Sequence, residues 1–321
     1  MAYLNDSQII SRSENEAIEL PEQVASDVVK ATANTSVVAR LARRINMGSK
    51  SYRQPVISGL PTAYWVNGDT GLKGHTTVKF GDTTLVAEAM ATLVVVPDEF
   101  IDDSGVPIWS ECKTLIAEAF GRKLDDAALW GLNAPASWTD SVYGSAVAAG
   151  NYVDRPASDA PDYGVDIANA AKLVSSDGFS VSGFAVRPGL RWELLGQRDL
   201  NGSPVFQQLA GTDGMPAETI YNLPAVESRN GAWNNDVSVI AGDWDKALFG
   251  VRQDITATIH TDAVISDESG NVVFNAMQQD SKIMRVVMRV GFAIANPQTQ
   301  LNTTSARSPF ALVLNEGTAA S

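Results

Sequence analysis

The fold is decided by residues 98–131, which read DEFIDDSGVPIWSECKTLIAEAFGRKLDDAALWG. A helix start is indicated by Asp103 or Ser104 as the N-cap and by Pro107 in the first turn, and Gly131 is typical of a helix end. The pattern predicts one helix of roughly 25 residues, about 37 Å long, whereas helices of globular domains average about 11 or 12 residues. A rod of this length is expected to act as the spine of the molecule. Its apolar side is formed at helical spacing by Ile108, Cys112, Leu115, Ile116, Ala119, Phe120, Leu124, Ala127 and Ala128.

The composition limits the class of protein. The chain has 321 residues, of which 45% are hydrophobic, and a net charge of -13. Folded cores are therefore expected, and sequence-independent nucleic-acid binding is not. The single cysteine, Cys112, cannot form an internal disulfide and is interpreted as a buried core residue. Without a charged-then-apolar leader or an apolar run of about 18 residues, we expect neither secretion nor a membrane span, and a cytoplasmic compartment.

The N-terminal part of the chain divides into two predicted segments. Residues 1–21 are polar and acidic, and because they have too few apolar side chains for a core they are predicted to form an arm. Residues 22–45 carry apolar side chains at helical spacing and are predicted to be a helical segment. This segment holds the basic cluster Arg40, Arg43 and Arg44. The cluster is interpreted either as a solvated or salt-bridged helix face, or as an inter-subunit or inward-facing contact.

Residues 46–90 have the pattern of a long β-hairpin. Strand-like segments at 52–58 and 77–80 flank a tip that is dense in turn-forming residues. A two-stranded hairpin is at best marginally stable alone in water, and this one has little apolar mass of its own. The hairpin is therefore expected to lie on a partner subunit. The tip residues assigned to that contact are Asn67, Gly68, Asp69, Thr70, Gly71, Leu72 and Lys73.

The remainder of the chain mixes helices and strands. Residues 132–246 interleave short helical and strand patterns, which is typical of a compact α+β or α/β domain. Apolar side chains recur at every second position in parts of residues 247–261 and 282–295, as in β-strands. The second run has one apolar and one partly polar face. A turn between these runs is predicted to be a hairpin tip and is assigned to inter-subunit contact. Its residues are Asp267, Glu268, Ser269, Gly270 and Asn271.

The sequence gives no motif for chemistry. The two histidines, His75 and His260, have no second histidine or cysteine at ligand spacing, so no zinc site is predicted. No phosphate-binding, dinucleotide-binding or GxSxG motif occurs. The acidic pair Asp125 and Asp126 is interpreted as a solvated helix face. We therefore predict no catalytic residue, no cofactor and no metal.

The order of the parts resembles that of the major capsid proteins of tailed bacteriophages, which have the Hong Kong 97 fold. A polar arm, a short helix, a projecting hairpin, a spine helix, an interleaved domain and returning strands follow one another. Five stretches carry the resemblance, although the third lacks the glycine of the family's GxPV strand. They are residues 97–135, NGSPVF at 201–206, LPAV at 223–226, GDWDKALFGVR at 242–252 and RVGFAIANP at 289–297.

The resemblance implies an α+β fold of the Hong Kong 97 type and the role of a major capsid protein. Such a protein assembles with itself into hexamers and pentamers, which form an icosahedral shell around double-stranded DNA without sequence-specific binding. The hairpin would lie over the neighbouring subunit of the capsomer. The implied parts are an N-terminal arm (1–21), a helical segment (22–45), an extended loop (46–90), a peripheral domain (91–131 and 247–296) and an axial domain (132–246 and 297–321).

The resemblance also implies partners and a location. Because only the short arm precedes residue 22, a separate scaffolding protein is expected, together with a portal and, as a further candidate, a decoration protein. Some family members join their subunits covalently through a lysine and an asparagine. Lys73, Asn271 and Asn275 lie in comparable places, but such residues are common on polar loops, so no cross-link is expected. The protein is expected in the virion, after assembly in the bacterial cytoplasm, with no membrane.

Two other interpretations are open at this point. An encapsulin-like cage shares the fold, but encapsulins begin with a cargo-binding helix, whereas residues 1–21 are polar and irregular. A soluble α+β enzyme with the hairpin over its active site would be a monomer or a small oligomer. Electron microscopy of the expressed protein distinguishes icosahedral shells or capsomer rings from small particles.

Overall fold

The computed structural model describes residues 36–66, 74–103, 108–154, 162–196, 219–267 and 269–315. The predicted arm, the first part of the predicted helical segment, the hairpin tip at 67–73 and Glu268 lie outside these ranges. The helices described are α1 (Val37–Leu41), α2 (Asp98–Asp103), α3 (Ile108–Trp130), α4 (Val142–Ala149), α5 (Tyr163–Ser176) and α6 (Leu190–Gly196). The strands described are β1 (Arg43–Asn46), β2 (Ser51–Gly59), β3 (Lys79–Val86), β4 (Glu88–Pro97), β5 (Tyr152–Val153), β6 (Gly183–Val186), β7 (Thr219–Ile220), β8 (Leu223–Glu227), β9 (Val237–Gly242), β10 (Ala247–His260), β11 (Val264–Ser266), β12 (Val272–Asn275), β13 (Ser281–Ile294) and β14 (Phe310–Leu314).

Four strands form a sheet in the order β1–β10–β13–β4, and the spine helix α3 shares a hydrophobic cluster with one face of it. β13 pairs antiparallel with β10 on one side and with β4 on the other. Side chains of β13 alternate, so that Arg285 and Arg289 are exposed on the face opposite the cluster. The predicted alternation is therefore confirmed, and the apolar face of β13 packs against the spine helix. The cluster joins Ile116, Phe120 and Leu124 of α3 to Met284, Val286, Met288 and Val290 of β13.

The predicted helical segment (22–45) is wrong at its C-terminal end. α1 ends at Leu41 because Ala42 is extended, with φ -71° and ψ 151°. Arg43–Asn46 form β1 instead, which lies parallel to β10 in register with residues 248–251. Backbone pairing with a distant strand overrides the helical spacing of the apolar side chains, since local propensity is only a weak preference.

The spine helix α3 has 23 residues and ends where the sequence indicated. Gly131 follows it with a φ of +73°, in the left-handed region that favours glycine, and its N–H donates to the Ala127 carbonyl at 3.0 Å. The buried side is displaced from the predicted one, because Leu115 is 65% exposed whereas Ala117, Gly121 and Asp125 are buried. The short helix α2 covers Asp98–Asp103, and residues 104–107 lie outside the described ranges.

The strands β2 and β3 form the predicted hairpin, paired antiparallel from Ser51 opposite Val86 outward. The extended segment from Lys79 to Pro97 is divided at Ala87 into β3 and β4. At this break the Ala87 N–H donates to the Lys50 carbonyl at 2.8 Å. The chain therefore leaves the hairpin and joins the four-stranded sheet within a single residue.

A second sheet, with the strand order β5–β14–β9–β6–β8–β7, lies between two hydrophobic clusters. β14 pairs with both β9 and β5, which places this C-terminal strand inside the sheet. On one face, Ala311 and Val313 pack with Ile167 of α5. On the other face, Leu312 joins the cluster around α3 and α4. The two sheets therefore share one core, which is built around the spine helix.

Candidate functional site

The β2–β3 hairpin presents large apolar side chains to solvent. Trp65 is fully exposed and Phe80 is 73% exposed, and neither belongs to a hydrophobic cluster of the described chain. A large exposed apolar patch of this kind marks a protein contact. The predicted tip, residues 67–73, lies between these flanks and outside the described ranges. The exposed apolar residues of the hairpin are Tyr52, Ile57, Tyr64, Trp65, Val66, Val78 and Phe80.

The base of this hairpin is fixed to the four-stranded sheet. Leu85 is fully buried in a cluster at one end of that sheet. Gly291 permits the close approach, because a Cβ there would lie 2.8 Å from the Val86 carbonyl oxygen. The Arg252 guanidinium also donates to the Gly48 carbonyl in the loop that precedes β2. The exposed part of the hairpin therefore projects from a rigid base.

The strands β11 and β12 form a second hairpin, whose turn is the predicted tip at 267–271. Asp267 Oδ1 accepts hydrogen bonds from the backbone N–H groups of Ser269 and Asn271 at 2.9 and 2.8 Å, and its Oδ2 accepts from Asn271 Nδ2 at 3.1 Å. These hydrogen bonds, first that from the Asn271 side chain, lower the pKa of the Asp267 carboxyl. The hairpin turn is confirmed, and its assignment to an inter-subunit contact stays a prediction.

An apolar patch lies beside that turn, at the far end of the sheet from the first hairpin. Phe274 of β12 is buried with Val95 and Ile283, whereas the base of the first hairpin packs near Ala293. Ile283 and Ala293 are separated along β13 by about 33 Å at the usual rise of a strand. The two candidate contact surfaces therefore lie at opposite ends of one sheet. The exposed apolar residues of the second patch are Ile259, Val264, Val272, Val273 and Met277.

The basic cluster is divided between two elements. Arg40 is exposed on α1, whereas Arg43 and Arg44 are exposed on β1, so the interpretation as one helix face is wrong for the last two. Arg44 forms an ion pair with Asp254 at 3.1 Å, which confirms a salt-bridged role for this residue. Arg43 lines an open cleft of about 530 Å³ together with residues of β2 and with Lys246. An inward-facing contact of these arginines stays a prediction.

Asp125 is fully buried on α3, so its interpretation as a solvated residue is wrong. Its Oδ1 accepts hydrogen bonds from Ser36 Oγ at 2.7 Å and from the Val38 N–H at 3.1 Å. Its Oδ2 accepts from the Val37 N–H at 2.9 Å and from Asn230 Nδ2 at 2.7 Å. One carboxylate therefore joins the spine helix, the start of α1 and the loop that follows β8.

Burial raises the pKa of the Asp125 carboxyl to about 6. Loss of hydration disfavours the charged form, and the four hydrogen bonds oppose this effect without outweighing it. Asn230 is itself oriented, because its Oδ1 accepts from Ser228 Oγ and from the Ala232 N–H, both at 3.1 Å. With a pKa of about 6, the carboxyl is mostly ionised at neutral pH, and a modest fall in pH protonates it.

The sequence does contain a signal for this burial. Ala117 and Gly121 precede Asp125 at intervals of four residues, and side chains at this spacing share one face of a helix. Such a strip of small side chains allows another segment to approach closely. Ala117 and Gly121 are buried, and α1 packs against α3. This strip of small side chains predicts the burial of Asp125 correctly, whereas the acidic pair Asp125 and Asp126 suggested an exposed carboxylate.

The described residues give no sign of a catalytic or metal centre. Within the described ranges, no three His, Cys, Asp or Glu side chains are grouped so that they could hold a metal ion. Cys112 is buried on α3, as the sequence predicted. None of the helices in these parts of the chain has the length and apolar character needed to cross a bilayer. The candidate site consists of two exposed hairpin surfaces and one buried carboxylate.

Solved structures establish the class of protein. A chain from Mycobacterium phage Adephagia matches with a TM-score of 0.78 and 27% identity, covering 97% of this chain and 99% of that one. A chain from Microbacterium phage Oxtober96 matches with a TM-score of 0.74 and 31% identity, covering 95% of each. The capsid of an empty GTA particle, at 16% identity and a TM-score of 0.62, shares the fold. The fold is that of phage capsid proteins of the Hong Kong 97 type, as predicted.

The Phage capsid family matches residues 17–299, and the chain belongs to this family. The major capsid protein of Staphylococcus phage 80alpha is 23% identical over 284 residues, which are 86% of this chain and 82% of that protein. The probable major capsid protein gp17 of Mycobacterium phage D29 is 25% identical over 233 residues, 72% of this chain and 71% of that protein. The predicted role as a structural capsid protein, and hence a virion component, is confirmed.

Proposed function

We propose that this capsid protein assembles into hexamers and pentamers that close into an icosahedral shell around double-stranded DNA, and that it performs no enzymatic step. The observation that carries the proposal is the β2–β3 hairpin. Trp65 and Phe80 are exposed on the projecting part of this hairpin, and neither packs in a hydrophobic cluster of the described chain. A two-stranded ribbon with such side chains gains stability when it lies on another surface.

The positions of the two hairpins support a repeating contact between neighbours. Their bases lie at opposite ends of the four-stranded sheet, so each can meet a different copy of the chain. Contacts that use two different patches are heterologous, and they close into rings when the rotation between subunits allows it. Interfaces of obligate assemblies bury on the order of 2,000–5,000 Å², and both exposed apolar surfaces would contribute to that area.

The proposed parts of the shell subunit follow the two sheets. The hairpin would be the extended loop (46–90), and the four-stranded sheet with α3 would be the peripheral domain (91–131 and 247–296). The six-stranded sheet would be the axial domain (132–246 and 297–321), placed around the capsomer axes. Strand pairing supports this division, since β14 joins β9 in one sheet whereas β10 and β13 join β4 in the other.

Charge supports a shell that encloses DNA without binding it tightly. The net charge of -13 keeps the attraction between the wall and phosphate groups weak. Arg40 and Arg43, together with the ion-paired Arg44, are proposed as inward basic contacts. A separate scaffolding protein, a portal and a decoration protein are proposed as further partners, with assembly in the bacterial cytoplasm.

The double variant Trp65→Ser, Phe80→Ser tests the proposed contact. We expect folded subunits with an unchanged circular dichroism spectrum, because neither side chain belongs to a hydrophobic cluster of the described residues. Shell formation should be lost in electron micrographs, since each large apolar side chain withdrawn from an interface removes about 1.5–3 kcal/mol of burial energy. The wild-type chain should form closed shells or capsomer rings under the same conditions.

The matched control is Leu301→Ser, because Leu301 is 73% exposed like Phe80 but lies outside both hairpins. This variant should assemble as the wild type does. Normal shells from the double variant would contradict the proposed contact. Particles purified from infected cells should contain nuclease-protected DNA, and an enzyme cargo without a genome would favour the encapsulin-like alternative instead.

A further inference from the structure

Three separate parts of the chain meet at the Asp125 carboxylate. They are the spine helix α3, the segment from Ser36 into α1, and the loop after β8 that contains Asn230. The two oxygens accept four hydrogen bonds, and the partners are 87 to 105 residues away along the chain. Asp125 is 0% exposed, so these contacts form out of contact with water. This group therefore adds a polar connection at the start of α1, beside the apolar packing of Val37 and Val38 and the pairing of β1 with β10.

We propose that Asp125 anchors the N-terminal segment to the spine helix and to the loop after β8, and that the anchor opens more readily when its carboxyl is ionised. The four partners are neutral groups, two backbone N–H groups, one hydroxyl and one amide. None of them carries a charge that would compensate a buried carboxylate. Ser36 Oγ can either donate or accept, so it is the partner able to accept a hydrogen bond from the protonated carboxyl.

The direction of the pH effect follows from the two states of the anchor. In the closed state, burial raises the pKa of Asp125 to about 6. When α1 separates from α3, the carboxyl meets water and its pKa returns to about 3.9. The closed state therefore holds the proton more tightly. The extra stability of the closed anchor is fully present below the pKa of the open state and is lost as the pH rises through about 6.

All three packed segments carry ionisable residues close in sequence to the groups that form this site. They are Arg122 and Asp126 on α3, Arg40 on α1 and Arg229 in the loop. The Arg122 guanidinium approaches that loop, since it would lie 3.9 Å from a Cβ placed at Gly231. Desolvation of Asp125 is the largest cause of its raised pKa.

Hydrogen exchange of the full-length protein tests the proposal. Peptides that cover residues 36–42 are followed by mass spectrometry at pH 5, 6 and 7.5, with correction for the intrinsic exchange rate of free amides. In the wild type, the opening constant of this segment should be about tenfold larger at pH 7.5 than at pH 5, from the linkage between the two pKa values. Peptides from β14, in the core of the six-stranded sheet, serve as the internal reference and should stay protected throughout.

Two variants distinguish an anchor whose opening depends on ionisation of the Asp125 carboxyl from one in which Asp125 has only a structural role. Asp125→Asn cannot ionise, so the dependence of opening on pH should disappear. Asn230→Ala keeps the carboxyl but removes a donor that favours its charged form, so the midpoint should move to higher pH. Equal pH dependence in the wild type and Asp125→Asn, or opening that increases on acidification, would overturn the proposal. Because this readout concerns subunit opening, it stays separate from success or failure of shell assembly.

Discussion

At the scale of single residues, local chemistry was predictable and long-range contact was not. The core position of Cys112 and the turn position of Asp267 could be predicted, because each depends on near neighbours in the sequence. Asp125 looked solvated because acidic pairs on helices usually are. Its partners Ser36 and Asn230 lie 89 and 105 residues away, so local spacing could not identify them.

Gly291 offers a test of how the hairpin is seated on the sheet. In Gly291→Ala the new Cβ would lie 2.8 Å from the Val86 carbonyl oxygen, and that atom belongs to the backbone of β3. Since backbone cannot move aside as a flexible side chain can, we expect a loss of about 1–3 kcal/mol of unfolding free energy. Chemical denaturation of the soluble subunit measures this loss.

Gly48→Ala is the matched control at the same hairpin base. Nothing lies within 4 Å of a Cβ at Gly48. Its stability should stay within about 0.5 kcal/mol of the wild type, as surface substitutions usually do. If both alanine variants unfolded at the same denaturant concentration, the close approach of β3 to β13 would have no energetic consequence.

At the scale of secondary structure elements, periodicity predicted the elements that pack across their whole length. α3 and β13 show periods of 3.6 and 2 because each has one face in the shared core. β1 has four residues, and its pairing with β10 decides its conformation. The conformation of a short edge strand is determined by its partner strand. The helical spacing of apolar residues before Asn46 was therefore misleading.

Leu115→Pro tests the role of α3 as the spine. Proline in a helix interior removes a backbone hydrogen bond and clashes with the preceding turn, at a cost of about 3 kcal/mol or more. Because α3 contributes to the core shared by both sheets, we expect the variant to lose its cooperative thermal transition and to form no shells. Calorimetry and electron microscopy report the two effects.

Leu115→Ala separates the backbone effect from the side-chain effect. Leu115 is 65% exposed, so truncation removes little buried area and should leave stability and assembly near those of the wild type. Normal particles from Leu115→Pro would show that a continuous α3 is dispensable. A loss of shells in Leu115→Ala as well would instead place this side chain in a contact between subunits.

At the scale of the whole molecule, two sheets are held together by one helix, and two apolar hairpins project from opposite ends of one sheet. This arrangement leaves surfaces that the described part of the subunit does not cover. It also places the Asp125 anchor where α3 meets both the N-terminal segment and the loop after β8. In the proposed shell, contacts in trans would stabilise these hairpins.

Assembled shells should be held together by non-covalent contacts alone. The Asn271 side chain already donates to Asp267 at 3.1 Å within its own turn, which favours a structural role for it. After boiling in denaturant, particles should therefore give a single band at 34.2 kDa in gel electrophoresis. A ladder of multiples would show that subunits become covalently joined, and Lys73→Arg should then restore the single band.

The sequence by itself determined the spine helix, the alternating strands, the two hairpins and the order of parts that identifies the family. These features follow from the period of apolar side chains and from turn residues, both of which act over a few neighbouring positions. Only the tertiary structure decided that residues 43–46 form a strand and that Asp125 is buried. Each of these outcomes depends on groups far away in the sequence. Strand pairing requires a partner strand, and desolvation requires covering segments, and only folding brings these distant parts of the chain together.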